Sequence, residues 1–491
     1  MADLKVQNLP EIFKPEDSTW ASRAASRGEI RRIARGIYTS NLDEPLEQLV
    51  RRRWFDLAAL VFPGATVVDR SAHDGGPAED GSLFLDVGPK PSSPRTVNLP
   101  GLQLRPRNGP GPVEGDTEFV AIHMASPARA ALDNLWPSRA RAGVARTLRT
   151  DELESWLDRL ARSQGEEALN RLRDQARKIY PKLDAAEQFE TLDQTIGAML
   201  GTRETGLETR AAQARQAGVA YDTERLRLFE ELRTELSKQH LPERAAPDDR
   251  LRLFAFYEAY FSNWIEGTEF EVEEAEQIVF EGRVPEQRPA DAHDVRGTFE
   301  AASSAPFRAR PPEDYEALVA YLSGSHELVM GGRPEASPGR FKERSNRVGA
   351  VTFVRPELVE GTLREGFKLH QTLISGLARA VFMLFLISEV HPFADGNGRV
   401  SRLLMNAGLS ADSLCRIVIP PVYRDEYLSA LRALSVNANP TPVWKVLDRA
   451  QRWAAEIEWS DRASTLRAIE ASNALATPEE ARDRNLHLID P

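Results

Sequence analysis

The sequence predicts a mainly α protein, in which a C-terminal all-helical domain with one β-hairpin follows a helical connector and an N-terminal α+β, winged-helix-like region. Strand and turn signals are concentrated in the first 148 residues, apolar residues recur at helical spacing after them, and Gly- and Pro-rich stretches separate the segments. We expect a winged-helix-like module (1–62), a small α+β domain (63–148), a helical connector (149–248), the helical domain (249–465) and a C-terminal tail (466–491).

The first segment is rich in arginine within an acidic chain. Helix-permissive residues from Trp20 to Ser26 give way at Gly28 to two β-like runs, Ile30–Ala34 and Ile37–Thr39. This pattern predicts a helix followed by a small wing. The arginines of the segment are Arg23, Arg27, Arg31, Arg32, Arg35, Arg51, Arg52 and Arg53.

The second segment carries strand and turn signals from Phe62 to about Glu118. Its short apolar runs are Ala65–Val68, Ser82–Val87 and Thr96–Leu99, separated by glycine and proline. A helix is predicted to follow from Pro127, because Ser126 suits an N-cap and proline suits the first helical turn.

The connector is predicted to be helical, because strand signals nearly vanish between about Arg149 and Asp248. Its apolar residues with helical spacing include Leu153, Trp156, Leu157 and Leu160, then Leu226, Leu228, Leu232 and Leu236. Pro242 and Pro247, with Ala245 and Ala246 between them, interrupt the pattern. We place the boundary with the C-terminal domain there.

Composition limits the classes of function. Of the 491 residues, 41% are hydrophobic and 28% charged, as in globular proteins. The net charge of −11 argues against a protein that coats nucleic acid through bulk electrostatics. The single cysteine excludes an internal disulfide, and the first residues lack the basic and apolar segments of a signal peptide. The longest apolar run, Ala380–Val390, is too short to span a bilayer, so we expect a cytoplasmic protein with no membrane partner.

One loop of the C-terminal domain concentrates residues suited to chemistry. The apolar segment Leu377–Val390 predicts a helix that ends at His391-Pro392, because proline disfavours helical geometry in the residue before it. Next comes Gly396-Asn397-Gly398, which can adopt conformations that other residues avoid. A second helix is predicted from about Asn397, with Arg399 and Arg402 on its open side. Its buried stripe is Val400, Leu403, Leu404 and Ala407.

A glycine-rich turn at a helix N-terminus favours phosphate, because the unpaired amides and the helix dipole both attract anions. Arg399 and Arg402 add donors suited to phosphate oxygens, and Asp395 supplies a hard oxygen ligand for Mg²⁺. His391, just ahead of the turn, is the natural general base. Taken singly, such a turn or histidine is more often structural. Their combination in one short window indicates a catalytic site.

This window resembles the signature of the Fic family, His-x-Phe-x-Asp/Glu-Gly-Asn-Gly-Arg-x-x-Arg. The matching positions are His391, Phe393, Asp395, Gly396, Asn397, Gly398, Arg399 and Arg402. The resemblance implies a Fic domain that transfers AMP from ATP to a hydroxyl of another protein. It implies that His391 deprotonates the hydroxyl, that Asp395 binds Mg²⁺ on the α- and β-phosphates, and that Phe393 anchors the loop. The diphosphate would be held by the amides of Gly396, Asn397 and Gly398 and by the side chains of Arg399 and Arg402.

The segments Pro338–Lys342 and Asn346–Gly349 lead into the β-like run Val351–Val354. In Fic proteins a β-hairpin flap at this place aligns the target segment by main-chain pairing. The resemblance therefore implies that the hairpin through Val348–Val354 is such a flap. Taken alone, a glycine-bounded hairpin is more often plain structure.

Ser262 and Glu266 lie four residues apart, so they share one face of a predicted helix that ends near Gly267. Alone, this spacing usually marks a solvated face. The run resembles the inhibitory motif Ser/Thr-x-x-x-Glu-Gly/Asn of Fic proteins, in which the glutamate pairs with the second arginine of the signature and displaces the γ-phosphate. The resemblance implies that Glu266 pairs with Arg402 and restrains the activity.

Two short N-terminal runs resemble the AbiEi-type antitoxin regulators. Arg27–Tyr38 resembles their wing, and Ser126–Asp133 resembles part of the domain that follows it. The resemblance implies that this region binds DNA through the wing. An arginine-rich module that binds another protein fits the same residues.

The leading prediction is therefore an Mg²⁺-dependent protein adenylyltransferase, with ATP as substrate and a Tyr, Ser or Thr hydroxyl of a target protein as acceptor. One alternative is a DNA-binding transcriptional or antitoxin-type regulator whose Fic domain senses nucleotide, and another is an enzyme that removes AMP from a modified protein. The intact His391 favours an enzyme, because a sensor can bind ATP without a base. The sequence leaves open the target protein, the nucleotide preference and assembly into a homo-oligomer.

Overall fold

The computed structural model describes residues 9–140, 143–246, 251–349 and 351–491. The chain forms two compact units, Met1–Gly218 and Val219–Pro491. The finer division into five segments stays a prediction, and its boundary at 248/249, together with Pro247, lies outside the described residues.

The N-terminal part of the first unit is a helix with a three-stranded sheet. Helix α1 (Ser18–Ser26) begins where the Asp17 carboxylate accepts hydrogen bonds from the first amides of the helix. Strands β1 (Ile12–Phe13), β2 (Arg31–Ala34) and β3 (Ile37–Thr39) form an antiparallel sheet in the order β1-β3-β2. The predicted helix and the two strands after it are confirmed.

A six-stranded mixed sheet follows in the same unit, in the order β6-β7-β5-β4-β9-β8. Its strands are β4 (Thr66–Val67), β5 (Ser82–Asp86), β6 (Val97–Leu99), β7 (Leu102–Arg107), β8 (Thr117–Phe119) and β9 (Ile122–Met124). Helices α2 (Leu46–Arg52), α3 (Trp54–Val61) and α4 (Asp69–Asp74) accompany it. The pairs β4/β9 and β5/β7 are parallel, and the other pairs are antiparallel. Leu83, Leu85 and Leu104 of the sheet are buried together with Leu57 of α3. The three predicted strands of this segment are confirmed.

The first unit ends in helices. Helix α5 (Pro127–Asp133) begins as predicted, since the Ser126 hydroxyl accepts a hydrogen bond from the Arg129 amide. The helices after it are α6 (Thr150–Gln164), α7 (Glu166–Leu183), α8 (Ala186–Met199) and α9 (Arg210–Gln216). The predicted helical spacing is reflected in the buried residues Leu153 and Leu157.

The second unit is helical apart from one hairpin. Its helices are α10 (Thr223–Lys238), α11 (Leu251–Ile265), α12 (Val272–Glu276), α13 (Pro289–Ser303), α14 (Ala305–Arg308), α15 (Tyr315–Met330), α16 (Val359–His370), α17 (Gly376–Val390), α18 (Asn397–Ala411), α19 (Arg424–Asn437), α20 (Thr441–Glu456), α21 (Arg462–Ala471) and α22 (Pro478–Arg484). A π-helical turn, Gln277–Glu281, follows α12. Short 3₁₀ turns are Pro334–Ala336, Pro356–Leu358 and Pro421–Tyr423.

The core of this unit is built around α17 and α18. Helix α17 is apolar on nearly all sides and buried along almost its whole length, and α18 packs beside it. Helix α17 ends before His391-Pro392, as the sequence predicted. His391 itself takes the left-handed conformation (φ 54°, ψ 60°), which the sequence did not predict. Helix α18 begins at Asn397 after a left-handed Gly396 (φ 74°). The predicted pair of helices with a loop between them is confirmed.

The hairpin consists of β10 (Arg347–Val348) and β11 (Val351–Thr352), which pair antiparallel. Its turn includes Ala350, which lies outside the described residues. The paired part agrees with the hairpin predicted through Val348–Val354. Within the described ranges, no helix is both long and apolar enough to cross a bilayer.

Candidate functional site

The loop between α17 and α18 is closed by the side chain of Asn397. Its Oδ1 accepts a hydrogen bond from the Phe393 amide (2.8 Å), and its Nδ2 donates to the Phe393 carbonyl (2.9 Å). Asn397 is buried, so these bonds are shielded from water. The asparagine of the signature thus fixes the loop with its side chain, in addition to any use of its amide.

Phe393 anchors the loop from within the core. Its ring is fully buried and stacks on the imidazole of His326 on α15, with ring centroids 3.8 Å apart and planes 6° apart. His326 Nε2 donates to the Asp395 carbonyl (3.0 Å), while its Nδ1 accepts from the Gly339 amide (2.9 Å). Burial lowers the pKa of His326 to about 4, which keeps the ring neutral and suited to one donor and one acceptor.

The segment before the hairpin braces the other side of the loop. The Lys342 amide donates to the Pro392 carbonyl (2.8 Å), and the Lys342 ammonium donates to Asn346 Oδ1 (2.8 Å) and to the Val390 carbonyl (3.4 Å). Asn346 Nδ2 in turn donates to the Phe393 carbonyl (2.9 Å). Burial lowers the pKa of Lys342 to about 7, and the charge of Arg225 acts in the same direction.

His391 lies between the loop and the flap. Its ring stacks on Phe353, just beyond β11, at a centroid distance of 3.8 Å and an angle of 7°. Its Nδ1 lies 3.2 Å from the Ser388 carbonyl, which can only accept, so Nδ1 carries the proton and Nε2 presents a lone pair. Burial lowers the pKa of His391 to about 4, and the Lys342 charge contributes. The imidazole is therefore neutral near pH 7 and available as a proton acceptor.

The N-terminus of α18 has the features of an anion site. No side chain of the described residues caps this helix, so its first amides and its dipole are open to a ligand. Of the three predicted amides, that of Gly396 donates to Asp395 Oδ1 (2.7 Å), which leaves those of Asn397 and Gly398. The Asp395 side chain is exposed at the edge of this site.

The prediction that Arg399 and Arg402 lie on an open side of α18 is wrong. Both are buried, at 3% and 5% exposure, because α18 is packed on this face as well by α11 and α13. Arg399 Nη1 pairs with Asp294 Oδ2 on α13 at 2.5 Å, and Asp294 also accepts from Arg333 Nε at 2.8 Å. A fully buried carboxylate thus fixes the first arginine of the signature.

Arg402 is held by the helix that precedes it in the chain. Its Nε donates to the Ser262 hydroxyl (2.9 Å) and its Nη2 donates to the Ser262 carbonyl (2.9 Å) and to Glu266 Oε1 (2.7 Å). The pKa of Arg402 is raised, because the attraction of Glu266 and Tyr427 outweighs the cost of burial. The structure therefore contains the predicted contact between Glu266 and Arg402.

Glu266 also lies directly over the N-terminus of α18. A Cβ atom added to Gly398 would come within 2.1 Å of Glu266 Oε1. The carboxylate thus occupies space that only a glycine at this position leaves open. Its charge lies where the helix dipole attracts an anion.

The N-terminal arginines are largely engaged with neighbouring groups. Arg27 pairs with Glu29, and Arg52 pairs with Glu11 and Glu44, at 2.5–2.7 Å. The remaining contacts involve Arg53 with Glu11 and Asp56, and Arg31 with the carbonyls of Asn41 and Glu44. The ion pairs of Arg27, Arg52 and Arg53 reduce the positive charge that this region can offer to phosphates.

Several residues of the site were missed by reasoning from the sequence. His326, Lys342 and Asp294 lie 65, 49 and 97 residues before His391 in sequence and reach the loop only through packing. Lys342 stands within the recognised flap segment, and that position was its one sequence signal. His326 and Asp294 stand on helices without a motif, so their sequence context gave no signal.

Comparisons with known proteins agree with this site. Residues 317–409 match the Fic/DOC family. Protein adenylyltransferase fic-1 of Caenorhabditis elegans is 26% identical over 267 residues, which cover 53% of this chain and 52% of fic-1. The chain thus spans about half the length of that relative.

A shorter relative is matched over most of its length. A Fido domain-containing protein of Dictyostelium discoideum is 34% identical over 101 residues, or 71% of that protein and 20% of this chain. Among solved structures, one of C. elegans Fic-1 has a TM-score of 0.36 and 19% identity, covering 66% of this chain and 92% of that one. The chain matches the Dictyostelium protein over most of that protein's length, and its residues 317–409 match the family itself. The chain therefore belongs to the Fic/DOC family.

Proposed function

We propose that this protein is an adenylyltransferase, which transfers AMP from ATP to a Tyr, Ser or Thr hydroxyl of a target protein and is restrained by its own Glu266. Two lines of support carry the activity. The relatives that align over about half of the chain are named protein adenylyltransferases. The loop brings a neutral histidine next to an uncapped helix N-terminus, as nucleotidyl transfer requires.

In the proposed reaction, His391 Nε2 takes the proton of the target hydroxyl. The hydroxyl oxygen then forms a bond to the α-phosphorus, and the bond from that phosphorus to the oxygen bridging to the β-phosphate breaks. Pyrophosphate leaves with the electron pair of the broken bond. Such a transfer depends on positioning and on neutralisation of charge, which the amides of Asn397 and Gly398 provide together with Arg402. Arg399 is paired with Asp294, so its charge would act on the phosphates from a distance, or by direct contact only after this ion pair breaks.

A magnesium ion fits the donor set. Asp395 is an exposed carboxylate at the mouth of the anion site, and no group of three or more His, Cys, Asp or Glu side chains in the described ranges could hold a metal without the nucleotide. Magnesium is commonly held by one or two carboxylates together with substrate phosphates. Asp395 would hold the ion, which when bound neutralises charge on the phosphates.

The restraint rests on one observation, the position of the Glu266 carboxylate. It is bonded to Arg402 and lies above Gly398, so it takes up both the cation and the space that an outer phosphate would use. A carboxylate there also repels the phosphate. ATP would therefore bind in a productive position only when the C-terminal end of α11 moves away.

The test is incorporation of α-labelled ATP into proteins of a cell lysate. Glu266→Gly should raise labelling by roughly 5–150-fold, the range typical of coupled sites. Glu269→Gly, three residues on at an exposed carboxylate, is the matched control and should leave labelling unchanged. His391→Ala in the Glu266→Gly background should abolish labelling. If Glu266→Gly labels no lysate protein, the adenylyltransferase assignment fails. If it labels no more than the parent, the restraint fails.

The finer parts of the proposal concern the N-terminal unit, the target and the direction of transfer. Residues 1–148 are proposed as an AbiEi-like module, with the winged-helix-like part at 1–62, acting in a cytoplasmic protein. Binding of DNA by this module is the weaker alternative, because Arg27, Arg52 and Arg53 of residues 1–62 are paired with carboxylates. A gel shift at low salt tests this binding of DNA.

Removal of AMP from a protein, with Glu266 positioning a water, is tested by incubating a target that carries labelled AMP with the parent chain. Gel filtration tests a homo-oligomer.

A further inference from the structure

A cavity of about 90 Å³ lies beside the N-terminal part of α11, at Phe254, about two helical turns before Ser262, which holds Arg402. It is lined by Phe254 of α11, Arg308 of α14, Ser410 of α18, Leu414 and Arg416 of the loop after α18, and Trp459 after α20, with Ala246 and Ala309 completing the wall. Several elements of the second unit thus meet at one small space.

Two guanidinium groups of the lining have unused donors. Arg308 Nε and Arg416 Nη2 are buried, and neither has a hydrogen-bond partner among the described residues. Arg416 uses its other terminal nitrogen to donate to Glu258 Oε2 (2.6 Å) and to the Ala302 carbonyl (3.1 Å). Buried donors without partners are uncommon in native proteins, since each costs about 1–3 kcal/mol. A bound acceptor would remove this cost.

The lining specifies the chemistry of that acceptor. It contains two guanidiniums and the Ser410 hydroxyl, and none of its described residues is acidic. Arg416 is 6% exposed, so its charge is little screened by solvent. Guanidinium groups suit the oxygens of phosphate and carboxylate. A cavity needs about 10–15 Å³ to hold one water molecule. The cavity of about 90 Å³ therefore admits a small oxyanion but not a nucleotide.

We propose that this cavity is a second anion site, which binds a small oxyanion of the phosphate class between Arg308 and Arg416. The ring of Phe254 closes it, with the Arg416 guanidinium 4.5 Å from the ring centroid and the Trp459 ring 4.6 Å away. The site is separate from the N-terminus of α18, because Ser410 lies at the opposite end of that helix.

The site is coupled to the position of α11. Phe254 lines the cavity from α11, and one turn later Glu258 pairs with Arg416 and accepts from Asn406 Nδ2 of α18 (2.9 Å). The cavity is complete only while α11 is docked against these groups. An anion that binds the docked arrangement therefore favours it over any arrangement in which α11 has moved. Under the proposed function, this would hold Glu266 on Arg402.

The first experiment measures binding of labelled inorganic phosphate to the full chain by equilibrium dialysis, without magnesium. The parent should bind one phosphate per chain, at the cavity, because Glu266 occupies the α18 N-terminus, and Arg308→Gln should lose this bound phosphate. Arg308→Gln is the suitable variant because the buried Arg308 Nε has no hydrogen-bond partner among the described residues. Arg310→Gln, an exposed arginine two residues on, is the matched control and should bind as the parent does. Equal stoichiometry in the parent and Arg308→Gln overturns the proposal, and so does an equal loss in Arg310→Gln.

A second measurement follows amide hydrogen exchange in α11, which requires no enzymatic activity. At a phosphate concentration ten times the Kd, exchange through opening of α11 should slow about tenfold in the parent and in Arg310→Gln, but not in Arg308→Gln. Failure of this result with normal labelling by Glu266→Gly refutes the second site alone.

A final arm asks whether the anion is free or belongs to the chain. Asp248 and Asp249 follow Ala246 in the sequence and lie outside the described residues. Asp248→Asn with Asp249→Asn should bind phosphate as the parent does. Phosphate that binds only to this variant would show that a carboxylate of the chain is the occupant, and would overturn a site for a free anion. Acetate in place of phosphate compares the two ligand classes.

Discussion

Acidification from pH 7 to pH 5 should destabilise the second unit through the buried His326 and the half-buried His370 and His391. Burial lowers the pKa of His326, His370 and His391 to about 4 in the folded chain, against an ordinary value of 6.5. Below pH 6.5 the unfolded chain takes up a proton at each of these sites, and the folded chain does not until the pH nears 4. Stability is therefore complete above pH 6.5 and is lost as the pH falls through this window.

The magnitude follows from the two pKa values. At pH 5 the unfolded state gains about 2 kcal/mol from each histidine, so the three sites together cost about 5–6 kcal/mol if they act independently. This is a large part of the roughly 5–15 kcal/mol that stabilises a typical domain. Glu258 acts in the opposite direction, because burial raises its pKa. A comparison of variants separates the two contributions.

The assay is hydrogen exchange of the α17 amides at pH 7 and pH 5, corrected for the intrinsic pH dependence of exchange. These amides lie in the core, so they report the unfolding of this unit alone. In His370→Gln the loss between the two pH values should be smaller by about 2 kcal/mol. His487→Gln, at an exposed histidine, should behave as the parent. An unchanged pH dependence in His370→Gln would refute the reasoning.

Three further outcomes are expected. His326→Phe keeps the ring stack on Phe393 but loses the hydrogen bond to the Asp395 carbonyl, so it should lower the free energy of unfolding by about 1–3 kcal/mol in urea denaturation. The same variant should lower kcat by a larger factor than it changes the KM for ATP, and a kcat equal to that of the parent would contradict this. Lys342→Met removes a charge that lowers the pKa of His391, so the acidic limb of the pH–rate profile should move to higher pH in the Glu266→Gly background, and an unmoved limb would contradict the assignment. Arg399→Met removes one of the two guanidiniums that pair with the buried Asp294 carboxylate, the other being that of Arg333, and should cost about 1–3 kcal/mol in urea denaturation, whereas a loss below 1 kcal/mol would show that the pair is not structural.

The elements of the fold could be predicted because their signals are local. Pro392 fixes the end of α17, Ser126 and Pro127 fix the start of α5, and Arg35-Gly36 marks the turn between β2 and β3. Each depends on a few neighbouring residues, whose backbone preferences are known in advance. The grouping into two units depends instead on contacts between distant residues, and the sequence pattern carries no direct record of them.

The candidate site could be predicted only in its contiguous part. The loop from His391 to Arg402 is a single motif, and the contact of Arg402 with Glu266 followed from a second motif. The burial of Arg399 was missed, because its partner Asp294 lies 105 residues earlier and a charged residue off the apolar stripe ordinarily faces solvent. Periodicity reports where apolar residues point, and it cannot show that a polar face is covered by a buried partner.

The glycine at position 398 connects the motif with the proposed restraint. In a phosphate site, a glycine at a helix N-terminus lets the ligand approach the backbone. Here the same missing side chain lets the Glu266 carboxylate come within 2.1 Å of where a Cβ would stand. Arg402 likewise suits either a carboxylate or a phosphate. The features that would hold the nucleotide are thus the features that admit the glutamate, so the restraint needs no pocket of its own. Under the proposed restraint, its strength would be set by how firmly α11 is docked, through the pair of Glu258 with Arg416 and the cavity that Arg416 lines.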